Sequence, residues 1–315
     1  MNRIALVWLL LLASSLGFAA PKATRNPERI GQRDVGKGLN FYSIKSEIAL
    51  GKELARAVER EVRVFDDSVI SEYVNRIGQN LVRNSDASVI FTIKVIRSHE
   101  VNAFALPGGF LYVTTGLMLA VDNESELASA MAHEIAHVAA RHGTREATRR
   151  EILDRATIPL VFIGGWPGLA SRLTVTVAVP IAFLKLSRGA ERQADMLGLQ
   201  YLYKAGYDPV TSIDLLEKLS RREQKSGIFS SMLSAHPATK SRLHAVQNQI
   251  QKDLAPRAQY LLQTSEFELV KLRLAAIVSG RAFREGFLGL RTLRRAPEST
   301  DCPPILKRPD LRLQN

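Results

Sequence analysis

The sequence predicts an α+β fold, mostly helical, with a small antiparallel sheet packed on one central helix. Three observations lead there. Helical apolar periodicity recurs in block after block between residues 46 and 277, punctuated by caps and turns. Strand-like residues are confined to one stretch, residues 89 to 116, around a Gly-rich bend. The single cysteine, Cys302, excludes an intrachain disulfide, so a hydrophobic core must hold the fold. Hydrophobic residues make up 46% of the 315, enough to build one.

The chain opens with Arg3, an apolar run from Ile4 to Leu16, and small residues Gly17 and Ala19. A spanning helix needs roughly 20 apolar residues, so 1–19 reads as a secretory signal peptide, with an uncleaved anchor as the alternative. Residues 20–38 are polar and are expected to be flexible. SEIALGKELARAVEREV has helical spacing, and Asp66 and Asp67 offer caps for a second helix ending near Asn84. VIFTIKVI reads as a strand, NAFALPGG as a turn and FLYVTTG as a second strand.

Asn123 with Glu126 resembles a capping box that starts ELASAMAHEIAHVAARH, a helix expected to stop near Gly143. TREATRREI reads as a charged helix. Residues 157–184 are apolar but broken by GGWPG, Arg172 and Pro180. They are expected to pack over the active-site side of the domain; contact with a bilayer surface is the alternative. Helices follow from Ala190 to Gly206, through PVTSIDLLEKLSRR, through PATKSRLHAVQNQIQKD and around EFELVKLRLAAI. The last 22 or so residues read as a flexible basic tail. The organisation expected is a domain over 39–252 and a basic C-terminal part over 253–315. Net charge is +12, yet no nucleic-acid motif accompanies it, so the excess reads as a solvated basic surface.

HEIAHVAARH carries the chemistry. His133 and His137, four residues apart, share one helical face and can grip one zinc ion. Glu134 is one residue along, placed to take a proton from a zinc-activated water without being a ligand. A third ligand is needed. His142 follows His137 by five residues, which turns it off the shared face if the helix continues, and it is expected to interact with the helix end instead. Glu151 and Asp154 fit by type, but surface charge explains them equally. Glu191 and Asp195, four apart, point the same way: one carboxylate can bind zinc while the other receives the N–H of a ligating histidine. A pairing of Glu191 with Arg188 explains the spacing as well.

HEIAH, SRGAERQAD and SAHPATKSR, in this order and preceded by NAFALPGGFLYVTTGL, resemble the HtpX and CAAX-prenyl-protease family of gluzincin zinc metallopeptidases. The resemblance covers roughly residues 39 to 252 and is nearest to the family's soluble, periplasmic BepA-like branch. It implies one zinc per chain held by His133, His137 and Glu191, with Glu134 as general base and Asp195 behind the ligands. It also implies that FLYVTTG is the sheet edge on which an extended substrate pairs. His236 would face the zinc, where it either stabilises an oxyanion with Arg242 or occupies the fourth position as a gate. Pro237 is expected to begin the helix that follows.

The function implied is extracytoplasmic cleavage of extended segments of misfolded or unassembled proteins. Partners expected are unfolded polypeptides, with peripheral membrane or outer-membrane assembly contacts and no nucleic acid. The competing class is a zinc-stabilised chaperone or adaptor at the membrane surface. Glu134 favours the protease, because a pure binder needs no base beside its metal.

Overall fold

The computed structural model describes residues 22–163, 186–226, 236, 237 and 239–280. Two short 3-10 turns, Lys22–Arg25 and Pro27–Arg29, lead into α1 (Ile44–Glu61) and α2 (Ser68–Arg83). Strands β1 (Thr92–Ile96), β2 (Ala103–Leu106) and β3 (Phe110–Thr114) follow, then α3 (Thr115–Ala120), α4 (Glu124–Ala139) and α5 (His142–Ile163). The remainder is α6 (Arg188–Lys204), α7 (Thr211–Ser226), α8 (Lys240–Asp253) and α9 (Ser265–Val278). The expected caps form. Asp67 Oδ1 accepts from Ile70 N at 3.1 Å, and Asn123 Oδ1 from Glu126 N at 2.9 Å. Glu126 does not close a strict box, because its carboxylate takes the N–H of Asp122, one residue earlier.

The sheet is mixed, in the order β1-β3-β2. The two strands read from the sequence, β1 and β3, are parallel neighbours, and the antiparallel partner of β3 is β2. β2 is the AFAL segment read as part of a turn. The turn proper is Pro107-Gly108-Gly109, whose two glycines take φ of 76° and 96°. Four residues ahead of a Pro-Gly-Gly bend gave too short a pattern to register as a strand. One further expectation is corrected: FLYVTTG is the central strand, so it cannot offer a free edge, and β2 is the edge that faces α4.

The main core gathers around α4, whose residues are almost all buried. Leu127, Met131 and Ile135 pack among Ile70, Tyr73 and Val74 of α2, Leu197 and Leu202 of α6, and Leu111 and Val113 of β3. The helix pair α4–α6 approaches closely because residue 198 is glycine. A Cβ there would lie 3.1 Å from Ala132 backbone atoms and from the Cα of His133. Phe267, Val270 and Leu274 of α9 enter the same core, so this helix beyond residue 252 packs as part of the domain.

In the segment expected to be flexible, 20–38, contacts to the rest of the domain begin at Thr24, whose carbonyl accepts from Arg33 and Gln200. Arg33 and Asp86 form a buried ion pair at 2.5 Å, Arg33 Nη1 reaches Gln200 of α6 at 2.6 Å, and Val35 joins the core. Polar composition suggested looseness, but the polar groups find buried partners. Of residues 157–184, the first seven continue α5 and the rest lie outside the described residues, as do 1–19, Cys302 and the basic tail. Among the described residues no helix is long and apolar enough to cross a membrane.

Candidate metal centre

α4 runs as a helix only to Ala139. Arg141 then takes a left-handed φ of 56°, and α5 restarts at His142. The break, not a continuing helix, sets the place of His142. Arg141 is held there by Glu47 of α1, at 2.7 Å from its Nε, and by the Tyr42 carbonyl. A non-glycine residue in this conformation needs such support.

His133 and His137 project from α4 with their Nε2 atoms 3.0 Å apart. Glu191, in the first turn of α6, brings its carboxylate to 3.5 Å from His133 Nε2 and 3.6 Å from His137 Nε2. His236, just before α8, places Nδ1 2.9 Å from Glu191 and 3.5 Å from His133 Nε2. One ligand atom from each of the four lies within 4.8 Å of the others. Ligands about 2.0–2.1 Å from a tetrahedral zinc lie roughly 3.3 Å from each other, so nitrogen and oxygen donors at these separations fit that ion.

The electrostatics agree. Burial disfavours a charged His133, but hydrogen bonds to Asp195 and Glu191 outweigh it and raise its pKa to about 10. A field that draws a proton this strongly also draws a metal cation. Burial keeps His137 neutral, well below the ordinary histidine range. Glu191 resists burial and stays ionised, through its hydrogen bonds to His133 and His236.

Glu134 is buried, with Oε2 accepting from the β2 amide of Ala105 at 3.2 Å. Its other oxygen, Oε1, has no hydrogen-bond partner and lies 3.5 Å from His236 Nε2. Burial raises its pKa. A buried carboxylate with one free oxygen beside a metal-type cluster has the makings of a proton acceptor.

Asp195 and Arg242 stand behind the cluster. Asp195 Oδ1 is 3.2 Å from His133 Nδ1, on the ring edge opposite the cluster. Arg242 clamps Asp195 in a two-pronged contact, Nε and Nη2 each at 2.7 Å, and its Nη1 donates to the carbonyls of His236 and Pro237 at 2.9 Å. The guanidinium that was weighed for the oxyanion holds Asp195 and the His236 turn, and its Nη1 lies 3.3 Å from Glu191 Oε2. α8 starts three residues later than expected, at Lys240: its N-cap is Thr239, and Pro237 precedes the helix.

His142 is buried, and its Nδ1 meets His137 Nδ1 at 2.9 Å while its Nε2 meets Gln193 Oε1 at 3.1 Å. Burial pushes its pKa down to about 4. The helix-end role expected for it is overturned. It opens α5, at the helix end that disfavours a cation, and it touches a cluster histidine. Three histidines in ten residues were visible in the sequence, but the left-handed turn at Arg141 was not. Gln193 gave no signal at all. Of the other candidates by type, Glu151 is on α5 and forms no part of the cluster.

A helix bearing HExxH, a second helix bearing a glutamate and a small sheet edged against the first define a zinc metallopeptidase domain. Residues 69–250 match the model of peptidase family M48, and the chain belongs to that family, whose metal is zinc. It is similar to the beta-barrel assembly-enhancing protease of Yersinia pestis, with 30% identity over 256 residues, 76% of this chain and 51% of that protein. The protein of the same name from Escherichia coli strain K12 is 28% identical over 289 residues, 88% of this chain and 58% of that one. The mitochondrial metalloendopeptidase OMA1 of Schizosaccharomyces pombe is 30% identical over 196 residues, 62% of this chain and 56% of that protein. The chain spans about half the length of these relatives.

Proposed function

We propose that the chain is a zinc-dependent endopeptidase that cuts extended segments of misfolded or unassembled proteins in the cell envelope. His133, His137 and Glu191 hold the ion, one per chain. Zinc bound there supplies a Lewis acid for the scissile carbonyl and lowers the pKa of a water to about 7. Glu134 accepts that water's proton on Oε1 and passes it to the leaving amine. Its unpartnered Oε1 is the observation that carries the reading. Asp195, clamped by Arg242, orients His133 from behind.

An extended substrate adds to the sheet along β2, where backbone groups lie beside the base. An apolar cavity lined by Leu199, Leu215, Leu219 and Val246 adjoins His133 and accommodates a side chain of such a segment. His236 acts as a gate in the resting enzyme: its Nδ1 lies among the ligand atoms, where neutral imidazole takes the fourth position. His236→Ala then raises basal proteolysis at unchanged zinc content, whereas a fall in turnover would assign His236 to the oxyanion.

Export to the periplasm fits the apolar N-terminal run, and the names of the bacterial relatives support a role alongside outer-membrane β-barrel assembly. Metal analysis and a casein cleavage assay, with and without chelator, test the activity. Zinc near one per chain and chelator-sensitive cleavage are expected, and Glu191→Ala should lose the metal. Cleavage that survives complete zinc removal would refute the reading.

A further inference from the structure

We infer that His142 and Gln193 are positioning residues that fix the ring of His137, through a hydrogen-bond chain that ends on the N-terminal segment at the Val35 carbonyl. The inference rests on the zinc reading above and adds what holds one ligand in its working form.

The direction of every bond in the chain follows from its far end. The carbonyl of Val35 can only accept, so the group 3.0 Å from it must be the Gln193 amide nitrogen, Nε2. That turns Gln193 Oε1, an acceptor, toward His142 Nε2 at 3.1 Å. His142 must therefore carry its proton on Nε2, which leaves Nδ1 as an acceptor. His137 Nδ1, 2.9 Å away, must then be the donor. With its proton on Nδ1, His137 presents a lone pair at Nε2, the atom that faces His133 and Glu191. A carbonyl on a segment far from the motif thus dictates the tautomer of a ligand on α4.

The arrangement is the counterpart of Arg242–Asp195 behind His133. Both outer groups, Gln193 and Asp195, come from α6, which also supplies Glu191. One helix therefore orients both histidines. Val35 is in reach because Arg33 is anchored to Asp86 and Gln200 two residues earlier.

Outer partners of metal-bound histidines are worth about 10–100-fold in metal affinity. In the full chain, His142→Ala should raise the zinc dissociation constant by about that factor, read by chelator competition at fixed pH. His142→Asn puts an amide oxygen close to the lost Nδ1 and should return the constant to within roughly threefold of the parent. Gln193→Leu, at a position only partly buried, should weaken zinc by roughly tenfold and alter the absorption spectrum of the cobalt-loaded protein. Circular dichroism checks the fold of each variant, and Gln193→Leu decides the matter if His142→Ala does not fold. Zinc binding within twofold of the parent in His142→Ala and Gln193→Leu would overturn the inference. So would a folded His142→Asn as weak as His142→Ala, since packing alone would then explain the loss. A parent chain that binds no zinc would instead sink the metal reading itself.

Discussion

Two buried glutamates sit on the same helix, ten residues apart, and their surroundings are opposite. Glu124, at the start of α4, is enclosed by hydroxyls: Tyr73 donates to Oε2 at 2.8 Å, Tyr207 to Oε1 at 2.9 Å, and Thr264 also to Oε2. Burial, then the negative charge of Glu124, raises the pKa of both tyrosines, so they remain donors. Glu134, ten residues on, has one backbone donor, and its other oxygen accepts no hydrogen bond, with His236 Nε2 3.5 Å away. A satisfied buried carboxylate ties together α2, α4 and the entry to α9. An unsatisfied one is held ready for a proton that the fold itself does not supply. The contrast separates structure from chemistry without reference to any motif.

Variants at the two positions should therefore separate stability from activity. The largest effect expected is on Glu134→Gln, which should cut peptide hydrolysis by about 10²–10⁴-fold while keeping one zinc per chain. Near-parent turnover by a zinc-loaded variant would end the comparison. Next comes Glu124→Ala, which leaves two buried tyrosine hydroxyls and the half-buried Thr264 hydroxyl without their acceptor and should cost about 2–3 kcal/mol in denaturant unfolding. Its folded fraction should retain parental turnover per zinc; a selective loss of turnover would mean that Glu124 is not merely structural. Gly198→Val drives a side chain into the backbone beside His133 and should cost about 1–3 kcal/mol, with weakened zinc binding as the local sign.

The smallest effect concerns the stability of Glu134→Gln, expected to be unchanged or higher by about 1 kcal/mol, since a buried charge with an unpaired oxygen is removed. The sign with pH follows from the raised pKa. In chelated parent protein the unfolded chain releases this proton at the ordinary carboxylate value, while the folded chain releases it higher. Stability from this group is present below the unfolded value and falls as pH rises toward the folded one. Parent and Glu134→Gln melting curves should converge at acid pH and separate above it.

Much of the site was legible in the chain because it depends on helical periodicity. Four-residue spacing placed His133 beside His137 and Glu191 beside Asp195, and the caps at Asp67 and Asn123 are local hydrogen bonds between near neighbours. The sheet was partly legible: two of its three strands were recognised, but β2 was read as turn, and the parallel pairing of β1 with β3 depends on β2 lying between them in the chain. The buried partners of Arg33 in the polar 20–38 segment were not legible, because composition does not reveal whether a polar group finds one.

By itself the sequence determined the zinc-binding helix, the carboxylate pair and the order of the elements, since each is written in residues a few positions apart. Only the tertiary structure decided that His142 turns back onto His137, that β2 is the strand beside the base, and that Arg242 clamps Asp195. The turn of His142 follows the left-handed Arg141, which Glu47 and Tyr42 hold, and the carboxylates of α6 reach the site because Gly198 lets that helix lie against α4. The partners are separated by tens of residues, and only the packed core brings them within hydrogen-bond distance.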